Sequence, residues 1–150
     1  MSMTVKQHVD HWVSSSEESL RDMGAALKSG RRMNAMYTGH LAVEKIMKAL
    51  LAAQDEEIIY KHNLVTLTNR CGLTMNAAQE SELVTITEFN IAAKYASVKS
   101  KIYKKCTPKY TAAWSSVIRK WHKAIKQEVI RLRAALPDRK PASYPARDIQ

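Results

Sequence analysis

Apolar residues recur at alternating four- and three-residue steps along most of the chain, the period of an α-helix with one buried face. Val9, Val13, Ser16, Leu20, Met23 and Leu27, with Trp12 on the flank, predict a first helix over about residues 4–28. Ser29-Gly30 ends it, because glycine accepts the left-handed backbone of a helix stop. Met36, His40, Val43, Met47 and Leu50, widened by Tyr37, Leu41, Ile46 and Leu51, predict a second helix over about residues 31–54. So short a link makes the two helices antiparallel neighbours. From Asp55 the pattern loosens: Ile58-Ile59-Tyr60 reads as an extended turn and residues 62–70 as a short helix closed by Gly72. Asn76, with Gln79 three residues on, has the form of a capping box and opens a third long helix over about residues 77–105. Its expected core stripe is Val84, Glu88, Ile91, Tyr95, Val98 and Ile102, beside Leu83, Ile86 and Ala93. Thr107-Pro108 interrupts, since the residue before proline avoids helical backbone and proline suits a new first turn. Trp114, Val117, Trp121, Ile125, Val129, Leu132 and Leu136 predict the fourth long helix, over about residues 108–136.

The pattern therefore predicts an all-α chain: an antiparallel up-and-down four-helix bundle over residues 1–136, with an additional short helix between the second and third long ones. After Pro137 the period stops, and residues 137–150 are expected to be a flexible proline-containing tail. No apolar run approaches the length of a membrane span, and the N-terminus lacks the pattern of a secretory signal. The two cysteines, Cys71 and Cys106, form no Cys-x-x-Cys motif, so a reducing cytoplasm is the expected location.

Charge sharpens the picture. Residues 1–93 carry nine Lys/Arg against eleven Asp/Glu, whereas residues 94–150 carry fifteen against three. The net charge of +10 thus sits in the C-terminal third, which points to nucleic acid or another polyanion, or to a solvated basic face. Lys99, Lys101, Lys104, Lys105 and Lys109 are interleaved with Tyr103 and Tyr110, and Arg119, Lys120, Lys123 and Lys126 follow. If the helices on either side of Pro108 are antiparallel, both sets cluster at one end of the bundle. Lysines contact phosphates and tyrosines stack on bases, so Lys101, Lys104, Lys105, Arg119, His122 and Lys123 are candidate phosphate or RNA contacts. An acidic protein partner and a bland soluble surface remain equally open.

The stretch Ala42-Val43-Glu44-Lys45-Ile46-Met47-Lys48-Ala49-Leu50-Leu51, followed by His62-Asn63-Leu64, carries the most specific pattern. Glu44 precedes Lys48 by four residues, the favourable orientation for a helical ion pair, and His40 lies one turn before Glu44. Together with Trp12 and the Ser29-Gly30-Arg31-Arg32 hairpin, this stretch resembles the HEPN family, named for higher-eukaryote and prokaryote nucleotide binding, over about residues 10–132. The family's Arg-Tyr-Pro at the end of its third long helix is replaced by Lys94-Tyr95-Ala96, so the helix is expected to run on. The resemblance implies a helical bundle, a homodimer, a small cytoplasmic protein and frequent pairing with a minimal nucleotidyltransferase in toxin–antitoxin systems. It makes Glu44, Lys45, Lys48, His62, Lys94 and Tyr95 candidate nucleotide- or partner-binding residues. The alternative is structural: Glu44 and Lys48 as a polar clasp that fixes helix register, His62 as a cap or buried hydrogen-bonding group.

Many members of that family are metal-independent ribonucleases with an Arg, four to six residues, then a His. The chemistry needs a cation on the cleaved phosphate and an imidazole to move protons. No arginine here stands at that distance before any histidine: Arg32 to His40 leaves seven residues and Arg119 to His122 leaves two. Arg119 and His122 lie one turn apart on a basic helix, as a degenerate phosphate site or as a packing histidine among tryptophans. Paired Glu-x-x-His motifs of a di-metal bundle, a Gly-rich phosphate loop, His-Glu-x-x-His and Gly-x-Ser-x-Gly are all missing. The expectation is a non-catalytic nucleotide- or partner-binding subunit without metal or cofactor. The alternatives are a divergent ribonuclease toxin and a basic RNA-binding or structural protein.

Overall fold

A computed structural model describes residues 3–141 of the chain. Among the described residues there are six helices and no strand: α1 (Val5–Lys28), α2 (Arg32–Ala53), α3 (Leu64–Arg70), α4 (Ala77–Ala92), α5 (Ala96–Lys105) and α6 (Pro108–Ala135). The architecture is the all-α bundle, with α3 as the short helix between the second and third long elements.

Local chemistry sets the helix ends. Thr4 and Gln7 form a capping box at the start of α1, Asn76 and Gln79 form another at α4, and Thr107 caps α6 ahead of Pro108 at its first turn. The α1–α2 corner closes with Gly30 at φ 75°, where the N–H of Arg31 donates to the Ala26 carbonyl at 2.9 Å and that of Gly30 to Leu27 at 3.2 Å. The same closure ends α2 without glycine: Asp55 holds φ 57°, and Glu56 N–H reaches the Leu51 carbonyl at 2.9 Å. A short carboxyl side chain tolerates that backbone at a cost of about 1 kcal/mol.

Helix α2 is the centre of the molecule. Fifteen of its 22 residues are buried, and it packs against α1 most extensively, then α6 and α4. At Gly39 the approach is close enough that a Cβ would lie 2.6 Å from Ile118 Cδ1 and 2.8 Å from Met23 Sδ, so α1, α2 and α6 meet there with no room for a side chain.

Three expectations change. The third long helix breaks at Ala93–Tyr95, where Tyr95 is extended (φ −121°, ψ 117°) and caps α5. One straight helix over residues 77–105 would run about 44 Å, against about 33 Å for the 22-residue α2. The break lets Ile102 turn back onto the core. The core face of α4 is Leu83, Ile86, Thr87, Phe89, Asn90 and Ala92, leaving Val84, Ile91 and Tyr95 of the expected stripe exposed. On α6 the buried stripe is Thr111, Ser115, Ile118, His122, Ile125 and Val129, with Trp114, Val117 and Trp121 only part-buried on its flank. Small polar residues can occupy such stripes because their hydroxyls bond carbonyls of their own helix: Ser115 to Ala112 at 2.8 Å, Ser16 to Val13 at 2.7 Å.

Of the expected tail, residues 142–150 lie outside the described residues. Before them, the carbonyl of Arg139 accepts the Val5 N–H at 2.7 Å and its guanidinium pairs with Asp55.

Candidate functional site

Two charged constellations stand out, one buried within the bundle and one open at its end. The buried one centres on Glu44. Its Oε2 accepts from Lys48 Nζ at 2.9 Å, and its Oε1 accepts from His62 Nδ1 at 2.7 Å. His40, one turn earlier, has Nε2 3.8 Å from Oε1 and instead donates to the His62 backbone carbonyl at 3.0 Å. Helix α2 thus grips His62 twice, by its ring and by its backbone. A carbonyl only accepts, so His40 carries its proton on Nε2 and leaves Nδ1 bare and buried. Lys48 also lies 5.4 Å from the centre of the Trp12 ring, a cation–π contact with α1. Burial works to raise the Glu44 pKa, but hydrogen bonds and charge from Lys48, then His62 and His40, hold it below the usual carboxylate value. Burial lowers that of His40, which is therefore neutral at neutral pH.

His62-Asn63-Leu64 divides its work by residue. The His62 ring, half exposed, meets Glu44; Asn63 caps α3 by accepting the Thr66 N–H; Leu64 is fully buried and donates its N–H to Thr87 Oγ1 of α4 at 3.1 Å. Lys45 points elsewhere and donates to Ser19 Oγ of α1 at 3.0 Å. Glu44, Lys48 and His62 therefore come together, joined by His40, while Lys45 belongs to the α1 interface. Lys94 and Tyr95 are exposed at the α4–α5 joint. The preceding Ala92 and Ala93 line a hollow with Asn34 and Tyr37, in the N-terminal half of α2 rather than at Glu44.

On α6, His122 is 4% exposed and faces α1. Ser16 Oγ gives its own proton to Val13, so it accepts the His122 Nε2–H at 2.9 Å. Burial, with the charge of Lys126, pushes the His122 pKa down to about 4, against the opposing pull of Glu17. Arg119 is exposed, and a Cβ at Gly24 of α1 would lie 3.4 Å from its Nη2. Several α6 cations are paired: Lys126 with Glu17 at 2.6 Å, Arg133 with Asp10 at 2.7 Å, Arg131 with Glu128. Burial pushes the Cys71 thiol up to about 12 and raises Cys106, so neither is a thiolate at neutral pH.

The open constellation lies where the α1–α2 corner meets the α5–α6 corner. A cleft of about 580 Å³ is lined there by Arg31, Arg32, Lys99, Tyr103, Lys104 and Thr107, among others. Arg32 Nε donates to the Cys106 carbonyl at 2.7 Å and ties the two corners. Of the candidate phosphate contacts, Lys104 lines this cleft, and Lys101 and Lys105 are exposed on the same helix. Arg119, His122 and Lys123 lie eleven to fifteen residues into α6, about 16–22 Å along the helix from Pro108. The two basic sets therefore do not merge. Arg31 and Arg32 take the place expected of the α6 set; their adjacency to the Gly30 turn was the available signal.

Among the described residues, no group of three or more His, Cys, Asp or Glu side chains is placed to hold a metal ion. Nor is any helix there long and apolar enough to cross a membrane. In comparisons with known proteins, a family model described as HEPN domain matches residues 9–136. No match was found among curated proteins or among solved structures.

Proposed function

The chain belongs to the HEPN domain family, and on that premise, which ties it to nucleotide- and RNA-related work in general, we propose that it is a non-catalytic nucleotide- or partner-binding subunit. The observation that carries this reading is the state of His122. Its Nε2 proton is committed to Ser16, the ring is buried, and with a pKa near 4 it is neutral at neutral pH. A general acid or base working near neutrality needs a pKa near that range and reach to its substrate. Glu44 is likewise held by Lys48 and His62, an arrangement that supports the clasp role over a free ligand-binding carboxylate.

A cytoplasmic homodimer, and a nucleotidyltransferase-type partner of a toxin–antitoxin pair, belong to the same proposal. Support for a protein partner comes from α4, where Val84 and Ile91, two turns apart, stay exposed.

Incubating the purified protein with total RNA in the presence of chelator tests the catalytic half. No cleavage is expected; cleavage abolished by His122→Ala would overturn the proposal in favour of a divergent ribonuclease. Calorimetry with ATP and with RNA tests the binding half, where heat from at least one ligand is expected.

A further inference from the structure

The basic cleft at the α1–α2 and α5–α6 corners has the chemistry of a site for a nucleic-acid strand. Arg31, Arg32, Lys99 and Lys104 line it, and among the described residues no carboxylate does. Three of the seven α6 cations differ, since Lys126, Arg131 and Arg133 each have a carboxylate partner. In the cleft the arginines meet neutral acceptors: Arg31 Nε donates to Ser29 Oγ at 3.1 Å and Arg32 Nε to the Cys106 carbonyl. Positive charge is therefore concentrated in a concavity without internal neutralisation, the arrangement that raises the local concentration of anions.

The second observation is aromatic. Tyr103 is 71% exposed and lines the same cleft, one helical turn from Lys99 and next to Lys104. A large ring left in water on a wall that also carries two lysines offers a base a face to stack on while its neighbouring phosphates meet the lysines. The walls are held in place, because the Arg32 bond to Cys106 fixes the distance between the two corners. The volume of about 580 Å³ is in the range of small-ligand sites, and the cleft is open, so a strand can enter and leave.

We propose that this cleft binds a single strand of nucleic acid, with phosphates on Arg31, Lys99 and Lys104 and a base stacked on Tyr103. This site rests on the nucleotide- and RNA-related reading above, but it is separate from the Glu44 clasp and from His122.

Fluorescence anisotropy with a labelled mixed-sequence 12-nucleotide RNA and with labelled ATP tests it. The proteins compared are the wild type, Lys99→Glu/Lys104→Glu, Tyr103→Ala, and a charge-matched control, Lys6→Glu/Arg70→Glu, each checked by circular dichroism. The cleft double variant is expected to lose RNA affinity at least tenfold and to show a shallower salt dependence. Tyr103→Ala is expected to lose about fivefold or more, and the control to stay within twofold of the wild type. Equal losses in the control and the cleft variant would overturn the site in favour of diffuse attraction. RNA or ATP binding indifferent to the cleft variants would overturn the site and leave the general reading standing. A loss for RNA without any effect of Tyr103→Ala would overturn the stacked base. Tighter binding of a poly-glutamate peptide than of RNA would reassign the cleft to an acidic protein. No binding of either RNA or ATP would remove both the site and the reading it rests on.

Discussion

Glu44 and Arg32 belong to the same helix, twelve residues and about 18 Å apart, yet their surroundings use charge in opposite ways. Around Glu44 the charges are buried and matched: a carboxylate receives one ammonium, one imidazole and the nearby edge of another. Around Arg32 they are open and unmatched, four cations lining a cleft without a carboxylate among the described residues. In the first environment, removing one member leaves another charge stranded in low dielectric. In the second, Arg31, Lys99 and Lys104 are exposed and water screens their charge, while Arg32 ties the two corners through the Cys106 carbonyl. The lesson is that a motif's charged residues can hold a bundle together while the basic residues at its corner stay open and unneutralised.

The largest test of this contrast is Glu44→Ala. It strands Lys48, which is 4% exposed, and is expected to cost about 3–5 kcal/mol in denaturant unfolding. The double change Glu44→Leu/Lys48→Met removes both charges and is expected to cost less than the single one. A loss under about 1 kcal/mol for Glu44→Ala would show that the clasp does not behave as a buried pair. Acid should act in the same direction. With its folded pKa below the ordinary 4.5, Glu44 contributes stability above that value which is lost as pH falls through the folded one.

His122 gives the next effect. Its pKa is about 4 in the fold against 6.5 ordinarily. Between these values the unfolded chain takes up a proton that the folded chain refuses, so stability is full above 6.5 and declines as pH drops toward 4. The contribution is on the order of 2 kcal/mol, at 1.36 kcal/mol per pKa unit and allowing for partial solvent screening. His40 has the same sign, so His122→Gln should flatten the slope of unfolding free energy between pH 6.5 and 4 without abolishing it. An unchanged slope would remove His122 from the account.

The smallest expected effect is the counterpart in the cleft. Lys99→Glu/Lys104→Glu should leave stability within about 0.5 kcal/mol of the wild type, read by thermal unfolding. A loss as large as that of Glu44→Ala would erase the distinction between the two regions.

Much of this was legible before the fold. The α1–α2 hairpin followed from Ser29-Gly30, the α4 capping box from Asn76 and Gln79, and the start of α6 from Pro108. These signals are local and strong, since each satisfies a backbone group within a few residues. The Glu44–Lys48 pair was legible too, because four residues bring side chains together on any helix. The core stripes of α4 and α6 were not. Leu83, Val84, Ile86, Phe89 and Ile91 surround most of α4, so hydropathy points in no one direction. On α6, Thr111, Ser115 and His122 look polar in sequence but are buried where helices approach closely.

The sequence by itself determined the helical class, most helix ends and the family, because these rest on periodicity and on contacts within a turn. Only the tertiary structure decided that His62 would dock on Glu44 across eighteen residues, and that Ser16 would hold His122 across 106. It alone also brought Arg31 and Arg32 opposite Lys99 and Lys104. The physical reason is common to all three. Which side of a helix is buried, and where its corner lies, depends on how neighbouring helices fill space around α2. That choice is made by the packing of the whole bundle and is carried by no single segment.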